Sequence, residues 1–321
     1  MMIRPCLRTA RRIATRVAAT PPVARRLLRH ATVVFLYHDV SDTPSPFNDS
    51  RELNVSPSIF RKQLELIGET FHVIDPPQLL SGDYPTPAAL ITFDDGNRSY
   101  AHNALPILKE KGMASVSFLN MGPIHGEVCW SGLAAFLSRR DPSLLNGGHG
   151  TPRKTVSQIS ETDIERRLAS PEREALLTQA RVFRGSLLSH DDVRALAGEP
   201  LVCLGNHLFN HYNAARLPTD RLVQEYQKNQ RWLDAHPRGV RFFSYPFGQP
   251  GICLTEATTR LLRREGAEAL FTAYPLPNIS RRPSIYHRVQ LSSSVQTMEA
   301  LYHAVLQNYL SARVRAAFKV S

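Results

Sequence analysis

Along the chain, short apolar runs rich in β-branched and aromatic residues alternate with stretches in which apolar residues recur every three or four positions. Seven runs read as strands: Thr32–Tyr37, Phe71–Ile74, Ala88–Phe93, Ala114–Leu119, Leu201–Leu204, Arg241–Tyr245 and Ala269–Ala273. Ser56-Pro57 supplies an N-cap and an N1 proline for a helix that places Phe60, Leu64 and Ile67 on one face. Tyr100–Lys111 forms a second helix, stopped by Gly112, and Thr219-Asp220 opens a third that carries Leu222, Tyr226, Trp232 and Leu233. Thr255–Glu265 and Val295–Leu310 supply two more. This alternation predicts an α/β fold, a mainly parallel sheet with covering helices, and seven strands suggest a barrel. Chemistry in such folds sits at the carboxyl ends of the strands. Asp94, Asp95, His207 and the turn Tyr245–Gly248 all fall just beyond such ends.

Residues 139–186 are polar, with a glycine-rich stretch at Asn146–Gly150 and a charged helical pattern over Glu161–Arg181, and they read as an insertion. There is no internal repeat and no clean linker. The expected organisation is a basic arm over 1–30, one catalytic domain over 31–310, and a basic tail over 311–321.

Composition places this 321-residue chain, 42% hydrophobic and 21% charged, among ordinary globular proteins. No run approaches the ~18 apolar residues that a membrane span requires. Charge changes the picture only at the ends. Eight arginines (Arg4, Arg8, Arg11, Arg12, Arg16, Arg25, Arg26 and Arg29) lie in the first 30 residues with no acid, and Arg313, Arg315 and Lys319 close the chain, together matching the net +11. Residues 31–310 therefore balance, which argues against nucleic acid as a partner. The arm is weakly amphipathic, with Leu7, Ala10, Ala14, Val17 and Ala18 near helical spacing until Pro21-Pro22 ends the pattern. It reads as a solvated tail or as a peripheral contact with an anionic membrane. It lacks the apolar core of a secretory signal, so the expected location is the cytoplasm. Cys6, Cys129, Cys203 and Cys253 are far apart with no Cys-x-x-Cys, which fits reduced thiols and no thiolate metal site.

The chemistry concentrates where the apolar run Ala88–Phe93 ends in Asp94-Asp95-Gly96. Adjacent carboxylates repel, and each raises the other's pKa unless a cation or a donor offsets the conflict. Partners are available in Gly205–His211, where His207 and His211 lie four residues apart after another strand-like run. One Asp with two His is a zinc or iron set with open positions. Taken alone, the acids also read as a loop bonded to backbone amides and the histidines as incidental.

Thr92-Phe93-Asp94-Asp95-Gly96 resembles the first signature motif of the polysaccharide deacetylases, carbohydrate esterase family four. The resemblance implies Asp94 as general base and Asp95 as metal ligand. His207 and His211 match the family's His-Ser/Thr-x-x-His motif, with Leu208 in place of the hydroxyl residue, which implies the loss of a hydrogen bond that supports the metal ligands. Tyr245-Pro246-Phe247-Gly248 resembles the third motif, so the Phe247 backbone N–H would bind the oxyanion. Many members tether the base with an arginine three residues before that aromatic. Ser244 stands there, and the task passes to Arg241, to Arg288 or to nothing, with Arg288 as the candidate. Tyr37-His38 is similar to the motif that opens the exopolysaccharide-type members, which makes His38 the expected general acid ahead of His287.

The likeness covers about residues 32–290. It implies a distorted seven-stranded (β/α) barrel and a hydrolase that removes N-acetyl groups from amino sugars of a polysaccharide or glycan precursor. It further implies a divalent metal on Asp95, His207 and His211, zinc first, with cobalt, nickel or ferrous iron as alternatives. Two rivals share the motifs: a metal hydrolase of some other amide or ester, and a degenerate carbohydrate-binding protein, the second suggested by Leu208 and Ser244. A third, a nucleic-acid or membrane-surface binder, rests on the arginine arms.

Overall fold

The computed structural model describes residues 18–146 and 153–317. Ten strands appear in chain order: β1 Thr32–Tyr37, β2 Asp39–Val40, β3 Asn54–Val55, β4 His72–Val73, β5 Ala88–Phe93, β6 Ser115–Leu119, β7 Val202–Asn206, β8 Gly239–Ser244, β9 Ala269–Phe271 and β10 Arg288–Gln290. Seven of them form a continuous path, β10-β1-β5-β6-β7-β8-β9, in which every pairing is parallel. The path nearly closes on itself just before β10, where Tyr286 accepts from Thr272 N–H (2.9 Å) and donates to the Leu270 carbonyl (2.7 Å). The result is the expected (β/α) barrel.

Its membership differs from the sequence reading. The run at 71–74 yields only the two-residue β4, which pairs with the first residues of β5 off the main path. The seventh place goes to β10, three residues with an arginine and a glutamine in them. Such a segment carries no apolar run to announce it.

Although the long strands are mostly apolar, their side chains divide between two cores, as period-two alternation requires. Val34, Leu90, Val116, Phe118, Cys203, Phe242 and Phe271 pack together in the lumen. Val33, Phe35, Ile91, Phe93, Val202 and Leu204 pack outward beneath the helices. Each such large side chain contributes about 1.5–3 kcal/mol when fully buried. On β5 the lumen-facing series Leu90, Thr92 continues in step to Asp94, which sets that carboxylate at the barrel mouth. The helix Pro57–Thr70 seals the outer layer with Phe60, Leu64 and Ile67, and Ser56 Oγ caps it by accepting from Ile59 N–H at 3.3 Å.

Helices occupy the described parts of both terminal segments. Pro21-Pro22 does not lead into a free arm but opens a helix, Pro21–Leu28, because proline at N1 gives up an N–H that no helix uses. Ala24 and Leu28 are fully buried with Leu301, Tyr302 and Val305 in the outer core, and Arg25 Nε donates to Tyr302 Oη at 3.3 Å. Residues 1–17 lie outside the described residues. The last helix, Met298–Ala317, runs on into the segment read as a basic tail, and 318–321 lie outside the described residues. Among the described residues no helix is long and apolar enough to cross a membrane. Cys129, Cys203 and Cys253 are free and buried.

The insertion is built on the barrel rather than hung from it. Its helices Glu161–Leu168 and Arg173–Arg184 pack on the helix Trp130–Arg140 through Ile164, Leu168, Ala180, Leu133 and Leu137. Residues 147–152 lie outside the described residues.

Candidate active site

Asp94 and Asp95 emerge side by side from β5, yet the chain turns their side chains to different partners. Asp95 adopts a left-handed backbone, φ +74°. Leu208 (+60°), His211 (+60°) and Phe247 (+61°) do the same, so among the described residues four of the five non-glycine residues with positive φ lie in this one place. Each costs backbone strain that the surrounding contacts must outweigh, a pattern typical of functional sites. Gly248 follows Phe247 because a Cβ there would stand 2.3 Å from the Ala273 nitrogen.

Asp94 is clamped from inside the barrel. Arg288, fully buried on β10, donates from Nη1 to Asp94 Oδ1 at 2.7 Å and from Nη2 to Oδ2 at 2.6 Å. The guanidinium is held in turn by the Thr272 carbonyl on Nε (2.9 Å) and by Ser244 Oγ on Nη2 (2.7 Å). Ser244 then donates to Asp94 Oδ2 at 3.2 Å. Serine at the expected arginine position thus leaves room for an arginine arriving from another strand. Arg241 points elsewhere and pairs with Asp234 at the surface. Burial by itself would raise the Asp94 pKa, but Arg288, His207 and His38 outweigh it and hold the carboxyl below its ordinary value.

Asp95, His207 and His211 converge, all buried, with one ligand atom from each lying within 4.8 Å of the others. His207 Nε2 is 3.4 Å and His211 Nε2 3.0 Å from Asp95 Oδ1. His207 Nδ1 donates to the Ser244 carbonyl at 2.7 Å, and because a carbonyl only accepts, that nitrogen carries the proton. With that proton on Nδ1, the neutral form of the ring would present its Nε2 lone pair to Asp95 Oδ1, an oxygen with no hydrogen bond of good geometry among the described residues. Two acceptors facing each other in a buried site is the situation a cation resolves, so the residues fit a divalent metal. Burial would raise the Asp95 pKa, but His211, His207 and Arg184 hold it well below the usual carboxylate range. Burial lowers the pKa of His211 against the pull of Asp95, which favours the neutral, ligating form.

Two features of the surroundings have no counterpart in the sequence reading. The first is Arg184, the last residue of an insertion helix, only 3% exposed, which donates to Asp95 Oδ2 at 3.2 Å and to Asn97 Oδ1 at 2.8 Å. No spacing distinguishes it from the solvated arginines around it. The second is a set of buried carboxamides under the histidine loop. Asn206 Oδ1 accepts from Leu208 N–H (2.9 Å) and from Asn229 Nδ2 (3.0 Å), and Asn120 Nδ2 donates to the Leu208 carbonyl (2.9 Å). Leu208 itself is fully buried against Leu222, Tyr226, Phe243 and Tyr245. The loop is therefore secured without the hydroxyl whose loss the sequence suggested.

The two candidate acids separate cleanly. His38 lies at the mouth beyond β1, its carbonyl accepting from Asn97 Nδ2 at 3.0 Å and its buried Nδ1 without a hydrogen-bond partner among the described residues. Burial lowers its pKa, and the nearby charges of Asp95 and Asp94 oppose that fall. His287 turns instead to Thr272 Oγ1 (2.9 Å) and the Tyr274 ring (5.6 Å). The Phe247 N–H has no acceptor among the described residues, and its ring lies 4.9 Å from that of His211.

A carboxylate–imidazole cluster beside an arginine-clamped carboxylate, at the carboxyl mouth of a parallel barrel, defines a hydrolase. Residues 81–270 match the sequence model of the family described as polysaccharide deacetylase, and the chain belongs to that family. It is an N-deacetylase. Solved structures show the same fold. The deacetylase PplD of Streptococcus pyogenes, solved with acetate, is 15% identical, with 86% of this chain covered, 99% of that chain and a TM-score of 0.54. IcaB of Ammonifex degensii is 19% identical over 86% of this chain and 98% of its own, TM-score 0.57. A de-N-acetylase of Aggregatibacter actinomycetemcomitans is 15% identical over 85% and 99%, TM-score 0.55. No curated protein matches the sequence.

Proposed function

We propose that the chain removes acetyl groups from N-acetylated amino sugars of a glycan with the help of a divalent metal, zinc first among candidates, held by Asp95, His207 and His211. The observation that carries this reading is the buried convergence of Asp95, His207 and His211, with His207 Nδ1 taken up by the Ser244 carbonyl so that Nε2 faces Asp95 Oδ1. A metal there polarises the acetyl carbonyl and acidifies water.

The chain's own residues supply the rest. Asp94, kept ionised and fixed by both arms of Arg288, accepts the proton of the attacking water on a carboxylate oxygen. Arg288 is a positioning residue and touches no substrate. The Phe247 N–H, fixed by its left-handed backbone and free of other acceptors, donates to the oxyanion as the carbonyl becomes tetrahedral. His38, entering the step protonated, gives its proton to the sugar nitrogen as the C–N bond breaks, and the proton taken by Asp94 passes to solvent, leaving acetate and a free amine. The Tyr37-His38 pair favours the exopolysaccharide-type branch of the family.

The test is acetate release from N-acetylglucosamine oligomers by chelated and reloaded enzyme. Metal-restored release that Asp95→Asn abolishes supports the reading. Undiminished release by the chelated enzyme overturns it.

A further inference from the structure

The segment that follows the paired carboxylates also grips the segment that carries His38. Asn97 Nδ2 donates to the His38 carbonyl at 3.0 Å, and Asn103 Nδ2 donates to the Val40 carbonyl at 2.7 Å. Between them Ser99 Oγ accepts from Val40 N–H at 3.1 Å and donates to the Asp39 carboxylate. Ser99 precedes and Asn103 lies within a π-helical turn, Tyr100–Ala104, a departure from α geometry that recurs at functional sites. Asn97 is 2% exposed, and its amide is fixed from both sides. Its Oδ1 accepts from Arg184 Nη1 at 2.8 Å and from Asn48 Nδ2 at 3.2 Å. Because a guanidinium only donates and a backbone carbonyl only accepts, one orientation of the Asn97 amide satisfies Arg184 and His38 together.

His38 needs such support. A histidine that moves a proton is commonly aligned through a hydrogen bond on its second ring nitrogen, but His38 Nδ1 is buried with no partner among the described residues. Its ring is therefore aimed by the backbone. Strand β1 fixes the chain up to Tyr37, and the bond from Asn97 fixes the carbonyl on the far side of the His38 Cα. We infer that Asn97 is a positioning residue for the general acid, holding the His38 backbone against Arg184, so that the insertion sets the place of the acid as well as that of Asp95. The inference rests on the deacetylase reading and adds a residue to its machinery. Its consequence is large, because a misplacement of about 1 Å at a reacting group can cost on the order of 100-fold in rate.

The test compares leaving groups. An amine must be protonated as it departs, whereas the phenolate of an aryl acetate leaves without a proton. Asn97→Asp keeps the two accepted bonds and sets an acceptor against the His38 carbonyl, and Asn97→Ala removes all three bonds without adding a charge. In both, acetate release from N-acetylglucosamine oligomers is expected to fall about 10–100-fold, while hydrolysis of an aryl acetate should fall about tenfold less. In a His38→Ala background, Asn97→Ala should cost no further amide turnover, since a residue that acts through His38 then has nothing to position. Zinc binding, measured by calorimetry, should weaken far less than in Arg184→Met. Equal falls on amide and ester, a further loss in the absence of His38, or a zinc defect as large as that of Arg184→Met overturns the inference and makes Asn97 a support of the metal residues instead. Wild-type protein that releases no acetate from the oligomers with any added divalent metal refutes the deacetylase reading, and the inference with it.

Discussion

The two adjacent carboxylates are each met by a buried arginine, but the arginines come from different parts of the molecule. Arg288 rises from the barrel lumen on β10 and grips both oxygens of Asp94. Arg184 descends from the insertion and takes only Oδ2 of Asp95, leaving Oδ1 facing the two imidazoles. One contact occupies both oxygens of its carboxylate and the other occupies a single oxygen. The barrel thus fixes the group proposed to accept a proton, and the insertion orients the group proposed to bind a metal. An arginine's fork makes both tasks feasible, because lysine cannot span a carboxylate bidentately.

Breaking the lumen side should have the largest effect. Arg288→Ala leaves Asp94 as an uncompensated buried charge, with an expected loss of about 3–5 kcal/mol of stability. Urea denaturation measures it, and a loss under about 1 kcal/mol would mean solvent reaches Asp94. On the insertion side the expected effect is on the metal. Arg184→Met should weaken zinc binding about 10–100-fold by calorimetry, as loss of an outer-shell partner does. Tighter binding in the variant would instead show that Arg184 acts through its charge, opposing the metal, rather than by orienting Asp95.

Acid should loosen both sides together in metal-free protein. The folded-state pKa values of Asp94 and Asp95 are lowered from 3.8, so their stabilising contribution is fully present above the unfolded value and is lost as pH falls toward the folded ones. The urea midpoint should therefore drop between about pH 5 and pH 3, and drop less in Asp95→Asn. A drop of the same size in that variant would place the acid sensitivity elsewhere. Ser244→Ala is the mildest change, removing one bond from a carboxylate that keeps Arg288. About 1 kcal/mol and a small fall in kcat are expected, and a loss as large as that of Arg288→Ala would make Ser244 rather than Arg288 the principal support.

What the sequence made legible and what it concealed divide along the same line. Asp94, Asp95, His207 and His211 stand where apolar runs stop, and contrast with the preceding strand makes them visible. Arg288 was one of two candidate tethers, and only the closing of the barrel brings it within reach of Asp94, because β10 is too short and too polar to read as a strand. Arg184 ends a charged helix that reads as solvated, and its burial depends on Gly132, where a Cβ would stand 2.9 Å from the arginine side chain. The carboxamides under Leu208 are invisible for a related reason. Asn120, Asn206 and Asn229 come from three separate segments and acquire a shared task only when those segments pack.

The proposed metal centre rests on Asp95 Oδ1 and the imidazole nitrogens of His207 and His211 that face it. Calorimetric titration of zinc into chelated protein tests it most directly, with acetate release followed on the same samples. The account predicts that wild-type protein binds a single buried ion and regains N-deacetylation as it does so, and that Asp95→Asn, still folded, does neither. Acetate release that is complete in the chelated protein, or zinc binding that survives Asp95→Asn undiminished, would contradict it.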